Sequence, residues 1–158
     1  MTSPLVLERS RTYPVSVEHA YAVVLPTPLA TIFTRRYGPL PPIKGVRDQD
    51  GVWGTVGQTR TIELADGGTM RETLTSVVDG VSFGYRIADV TGPMKALVSH
   101  LEGSWAFAPV GTGTRVTWAW TVHPLGRAAG LAMPVFGRLW QGYARQALEE
   151  IEGLLVRD

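Results

Sequence analysis

Gly103-Ser104-Trp105-Ala106-Phe107 and Thr114-Arg115-Val116-Thr117-Trp118-Ala119-Trp120-Thr121-Val122 decide the fold of this chain. Between them lies the turn sequence Pro109-Val110-Gly111-Thr112-Gly113, and from about Ala128 the chain reads as helix almost to its end. Successive side chains of a strand point to opposite faces, so large rings at every second position share one face. A sheet face carrying Trp105, Phe107, Trp118 and Trp120 exposes too much apolar surface to stay open to water, and the C-terminal helix is the available cover. This layout predicts a curved sheet closed by a helix, with a cavity or a packed seam between them.

Working outward, the helix keeps Phe136, Leu139, Trp140, Tyr143, Ala147, Ile151 and Leu154 at helical spacing, with Arg138, Gln141, Arg145, Glu149, Glu150 and Glu152 mostly opposite. Pro134 predicts a kink, or a helix that begins just before it. Upstream, Val81 to Asp89 alternates with Val81, Phe83, Tyr85 and Ile87 on one face. Gln58 to Leu64 and Thr69 to Val78 flank Ala65-Asp66-Gly67-Gly68, a hairpin signal because Asp-Gly and Gly-Gly tolerate positive φ. Leu97 to Ala108 and Arg115 to Val122 complete an antiparallel meander.

At the other end, Leu5 to Tyr13 reads as a first strand and Val17 to Val24 as a helix with Ser16 as N-cap. Leu29 to Arg35 is a second short helix, Gly38-Pro39-Leu40-Pro41-Pro42 a stiff connector, and Ile43 to Asp48 a short strand. Asp50 to Gly57 is a Gly-rich loop with an exposed Trp53. The expected class is α+β: six to seven antiparallel strands curved around one long C-terminal helix, two short helices after strand one, and a single domain over residues 1–158.

Composition narrows the partners. A net charge of +1, with Arg35-Arg36 the only adjacent basic pair, argues against nucleic acid. No cysteine is present, so thiolate sites and disulfides are excluded. The apolar run Ala128 to Phe136 is shorter than the roughly 20 residues a membrane span takes, so no stable membrane insertion is expected. Met1-Thr2-Ser3-Pro4 lacks a signal-peptide profile, which makes the cytoplasm the expected location.

Polar residues on the apolar parity are the candidate anchors. Glu72 alternates with Met70 and Leu74, and Arg60 shares a side with Ile62 and Leu64. Across the hairpin the two can meet inside, as a structural ion pair or as a polar anchor for a ligand, depending on register. Phe83, Tyr85, Trp105, Phe107, Trp118 and Trp120, with Leu139 and Tyr143 from the helix, serve either as core filling or as pocket lining. Trp53 and Met94 are the expected rim, Trp53 on a mobile loop and Met94 opposite it in Gly92-Pro93-Met94-Lys95. His19 is expected in solvent and His123 in a turn, with His100 and Glu102 together on the outer face. Three separate histidines without cysteine give no familiar metal spacing, and neither metal nor cofactor is expected.

The order strand, two short helices, antiparallel run and long helix resembles the START-like, helix-grip superfamily (SRPBCC), in its bacterial polyketide cyclase/dehydrase-like branch. Three stretches carry the likeness: Arg11 to Tyr21, Gly57 to Glu72, and Gly103-Ser104-Trp105 through Thr114-Arg115-Val116-Thr117-Trp118. The resemblance implies a ligand cavity between sheet and helix, and members that carry lipids, sterols or aromatic polyketides, catalyse cyclisation or dehydration, or act as interaction proteins. Three expectations follow. The first is a binder of a hydrophobic or aromatic small molecule, as monomer or homodimer. The second is a polyketide aromatase or cyclase, which needs titratable groups converging in the cavity. The third is an interaction module with a filled core.

Overall fold

The computed structural model describes residues 3–156. Its chain runs β1 (Leu5–Tyr13), α1 (Val17–Val24), α2 (Leu29–Ile32), β2 (Ile43–Arg47), β3 (Thr59–Leu64), β4 (Thr69–Val78), β5 (Ser82–Ala88), a 3-10 turn (Pro93–Ala96), β6 (Val98–Val110), β7 (Gly113–Pro124) and α3 (Arg127–Leu155). The strands form one antiparallel sheet in the order β1-β7-β6-β5-β4-β3-β2. This is the predicted helix-grip α+β architecture, at the upper end of the expected strand count.

Local chemistry accounts for most element boundaries. Ser16 caps α1 by accepting the His19 N–H at 3.1 Å, and Ala20, Tyr21 and Val24 form the helix's buried face. Of the predicted second helix only Leu29–Ile32 forms: Phe33 turns out of helical geometry, and its carbonyl accepts from Ile43 at the start of β2. The β6–β7 strands run further into their connection than expected, to Val110 and Gly113, leaving the two-residue loop Gly111-Thr112 with Gly111 at φ 58°. In that register Trp105 faces Trp118 and Gly103 faces Trp120.

Pro134 neither starts α3 nor ends it, since the helix begins at Arg127 and continues through. An interior proline forfeits one backbone bond, at a cost of about 3 kcal/mol or more. Here Ala129, Met133, Phe136 and Gly137 are buried on both sides of it, and that packing offsets the loss. Gly142 permits a close crossing, because a Cβ there would fall 2.0 Å from Cζ of Tyr37. Tyr13, on β1, donates its hydroxyl to the Leu148 carbonyl at 2.6 Å and so fastens the sheet's first strand to α3.

Candidate functional site

The inner face of the sheet and α3 enclose a core built from rings. Trp118 is the hub: it stacks on Trp105 (5.4 Å between centroids) and on Trp140 of α3 (4.7 Å), and meets Trp120 edge-on (5.3 Å). Phe33, just past α2, leans on Trp118 at 5.1 Å and stacks on Tyr143 at 5.5 Å. Tyr143 in turn donates to the Pro41 carbonyl at 2.8 Å, tying the proline connector to α3.

These rings leave a cavity of about 70 Å³. At roughly 15 Å³ per water molecule it has room for about five waters, well below the 300–1,000 Å³ of drug-sized ligand pockets. Its walls are Phe83, Tyr85, Trp105, Trp118 and Trp120 from the sheet, Tyr143 and Phe136 from α3, and Ile32, Phe33, Leu40 and Pro41 from the segment after α1. Met94, expected at the rim, is among the residues that line it. Three predicted positions lie elsewhere. Phe107 is buried beyond the cavity, edge-on to Tyr21 at 5.2 Å. Leu139 is half-buried, with its Cδ2 about 3.2 Å from where a side chain at Gly38 would begin.

Trp53 is the third correction. It is 2% exposed and lies over the Arg60 guanidinium, 3.8 Å from ring centroid to Cζ. Its loop is tied to one side chain: the Gln58 carbonyl oxygen accepts from the Gly54 and Thr55 N–H groups (2.7 and 2.6 Å), and its amide donates to the Asp50 and Val52 carbonyls (2.9 and 3.0 Å). The sequence suggested a mobile rim because glycines and a lone Trp look loose, whereas four hydrogen bonds to Gln58 hold the loop as a plug over Arg60.

The polar end of the cavity is made by register. Arg60 and Glu72 are direct cross-strand partners, and the Arg60 Nε donates to Glu72 Oε1 at 2.7 Å with both side chains almost fully buried. Arg60 also donates to Gln49 at 3.3 Å. Burial pushes the Glu72 carboxyl above its ordinary range, with the Arg60 charge and hydrogen bond pulling it back. Both residues line the cavity, so the pair stands inside and not at a solvated rim.

Tyr85 brings a second polar group to the cavity wall, on its β7 side. Its hydroxyl oxygen accepts from Trp118 Nε1 at 2.7 Å and Trp120 Nε1 at 2.8 Å. The ring reaches across β6 because position 103 is glycine: a Cβ there would fall 2.1 Å from Tyr85 Cζ. Burial, then the neighbouring Glu72 charge, pushes the phenol well up, against the two indole bonds, so it stays protonated. A phenol oxygen with two donors on it is left with its own proton to give. Tyr85 thus offers the cavity a donor aligned by two tryptophans.

The comparisons agree with this fold. Crystal structures of ginseng major latex-like protein 151 from Panax ginseng and of Ara h 8.0201 superpose with TM-scores of 0.71 and 0.66, at 13% and 15% identity. The first match covers 97% of this chain and 98% of that one, the second 98% and 99%. A protein from Nitrosospira multiformis is similar over 96% of both chains, with a TM-score of 0.67 and 16% identity. At such identities these structures share the fold alone. No curated protein matches the chain in sequence. Among the described residues no helix is long and apolar enough to cross a membrane. Residues 4–155 match the family described as polyketide cyclase / dehydrase and lipid transport, and the chain belongs to that family, within the START-like helix-grip superfamily.

Proposed function

We propose that this protein binds a hydrophobic or aromatic small molecule, lipid- or polyketide-like, between the sheet and α3, as a single ligand-binding domain. The observation that carries the reading is a cavity walled by rings and aliphatic side chains that holds two polar features, the buried Arg60–Glu72 pair on the β3–β4 side and the Tyr85 hydroxyl at the β7 end. Ring stacking and burial supply affinity, and the Tyr85 proton selects a ligand with a hydrogen-bond acceptor, such as a carbonyl, at that end.

The present volume decides how a larger ligand enters. A lipid or polyketide needs several times 70 Å³, so a wall must move. The plug over Arg60 is held by Gln58 and β1 by its sheet pairing. The segment Leu29–Pro41 has one four-residue helix, prolines at 39 and 41 with Pro28 and Pro42 flanking it, and is held to α3 by side-chain bonds from Tyr143 and Arg35, which makes it the yielding wall. Binding therefore orders an opened segment around the ligand.

A second reading, an aromatase- or cyclase-type enzyme acting on a polyketide-like substrate, draws on the titratable groups in the cavity wall. Tyr85 would act there as an acid or an electrophilic donor at a carbonyl, since two indole donors already occupy its oxygen. Binding ranks first because Glu72 is engaged by Arg60 and no side chain in the cavity stands free as a base. The reading includes a cytoplasmic location and a monomer or homodimer.

Native mass spectrometry of freshly purified protein, followed by its denatured mass, tests the proposal. The expected result is an extra mass that denaturation removes, with the charge series giving the oligomeric state. A bare mass, together with no thermal shift against fatty acids, sterols and aromatic polyketides, would overturn it in favour of an interaction module. Conversion of an added polyketide analogue with loss of water would establish the enzyme instead.

A further inference from the structure

The outer face of the sheet carries a cluster unrelated to the cavity. His100 on β6 and His123 on β7 are direct cross-strand partners, just beyond an irregularity in the ladder between Val98 and His100. Their imidazoles lie parallel, 13° apart with centroids at 4.2 Å. Glu102, two residues along β6 and so on the same face, approaches His123 Nε2 with both carboxylate oxygens, at 2.8 and 3.0 Å. One ligating atom from each of the three side chains lies within 4.8 Å of the others. His123 is therefore a strand residue in contact with His100, not the turn residue its neighbour Pro124 suggested. Spacing along the sequence hid the group, because its members come together only through the β6–β7 register.

We infer that His100, Glu102 and His123 form a binding site for a borderline divalent transition metal of the zinc, nickel or copper kind. Two imidazole nitrogens and one carboxylate oxygen are the donors such ions take, whereas magnesium and calcium prefer a fuller oxygen set. In a tetrahedral site with metal–ligand distances of about 2.0–2.2 Å, donor atoms lie roughly 3.3–3.5 Å apart. The spread here is 2.8 to 4.8 Å, and because the two rings lie parallel, a shared ion requires them to turn about their Cβ–Cγ bonds until their lone pairs converge, a movement open to side chains that are at least partly exposed. Ser99 Oγ lies 3.1 Å from His100 Nδ1, which leaves the opposite ring nitrogen to face the cluster. Three protein donors leave the fourth position to water, and the exposure of Glu102 gives the ion its way in.

The surroundings set the site's character. Arg86 on β5 is the cross-strand partner of Glu102, so a cation shares the face of the sheet beside that carboxylate. Bound metal would join β6 to β7 at the end where β7 passes into α3, a corner otherwise held by the Leu125 N–H to Leu97 carbonyl bond. The ion would staple the outside of the sheet while the ligand occupies the inside, since His100 and Glu102 alternate with the inward Leu101 and Gly103.

The test is isothermal titration of tag-free, EDTA-treated protein with zinc chloride and, separately, nickel chloride. The expected result is one ion per chain, weakened at least tenfold in His100→Ala and in His123→Ala, weakened in Glu102→Gln, and unchanged in the exposed control His19→Ala. Arg86→Gln is expected to tighten binding by removing a positive charge from beside the site. All five positions are at least partly exposed on the protein surface, and far-ultraviolet circular dichroism checks that each variant folds. No saturable binding to the parent protein, or binding that survives both histidine substitutions, overturns the assignment. So does magnesium binding as tightly as zinc.

Discussion

Removing one half of the Arg60–Glu72 pair is expected to harm this protein far more than removing both. The pair is 2.7 Å apart, with side chains 5% and 4% exposed. Glu72→Met leaves a guanidinium that cannot shed its proton in a dry wall, with Gln49 and the Trp53 ring as its remaining partners. Stranding a buried charge costs about 3–5 kcal/mol, which for a chain of this size lowers Tm by about 6–20 °C. Arg60→Met costs less, because the abandoned carboxyl can take up a proton. The double variant puts two methionines in the same volume and is expected near the parent's stability or above it. Urea denaturation of the four proteins at neutral pH gives the coupling energy directly. If the double variant loses the sum of the single losses, the two residues are not coupled and the account of this end of the cavity is wrong. The stable double variant also separates structure from function. It is expected to fold yet lose selectivity for ligands with a polar end, and unchanged selectivity would refute the anchoring role.

Gly103→Ala is expected to cost about 3 kcal/mol or more: its Cβ would fall 2.1 Å from Tyr85 Cζ, and expelling that ring strands two indole donors. Chemical denaturation followed by tryptophan fluorescence measures it, and a loss under about 1 kcal/mol would contradict the close crossing. Glu72 also makes stability depend on pH. Its pKa is raised in the folded state, so its contribution is fully present below the unfolded value and is lost as the pH climbs through the raised one. Relative to Glu72→Gln, the parent is expected to lose stability as the pH rises above the ordinary carboxyl value of 4.5, and a gain on that rise would reverse the assigned shift.

The sheet was legible because its signals are local. Alternation around Trp105, Trp118 and Trp120 and the Asp66-Gly67 turn each specify a strand or a hairpin without reference to distant residues. Element order then separated a helix-grip fold from other α+β arrangements. Arg60 and Glu72 were legible as inward residues by parity, but their meeting was not, because a one-residue slip would have turned either of them outward. Trp53 was misread because Gln58, the residue that immobilises its loop, bonds to backbone groups that carry no sequence signature. The aliphatic wall from Ile32, Phe33, Leu40 and Pro41 was missed for a similar reason. Leu29, Ile32 and Phe33 do keep helical spacing, yet nothing local says that so short a helix folds back over the mouth of the sheet.

The sheet order also sets when each strand can be satisfied. β2 to β7 pair in sequence, each strand with the one made just before it. β1 is the exception: Tyr13 waits for Thr114 and Leu5 for Val122, about a hundred residues later. At roughly 5–20 residues per second, a ribosome takes about 5–20 s to make that stretch. For that interval β1 has no native neighbour, and its backbone donors and acceptors are answered only by water or by whatever holds nascent chains. Arg9, Arg11 and Glu8 in that strand are therefore as important before folding as after it: charge interrupts the apolar alternation while the strand is alone, and keeps it from pairing with a stranger.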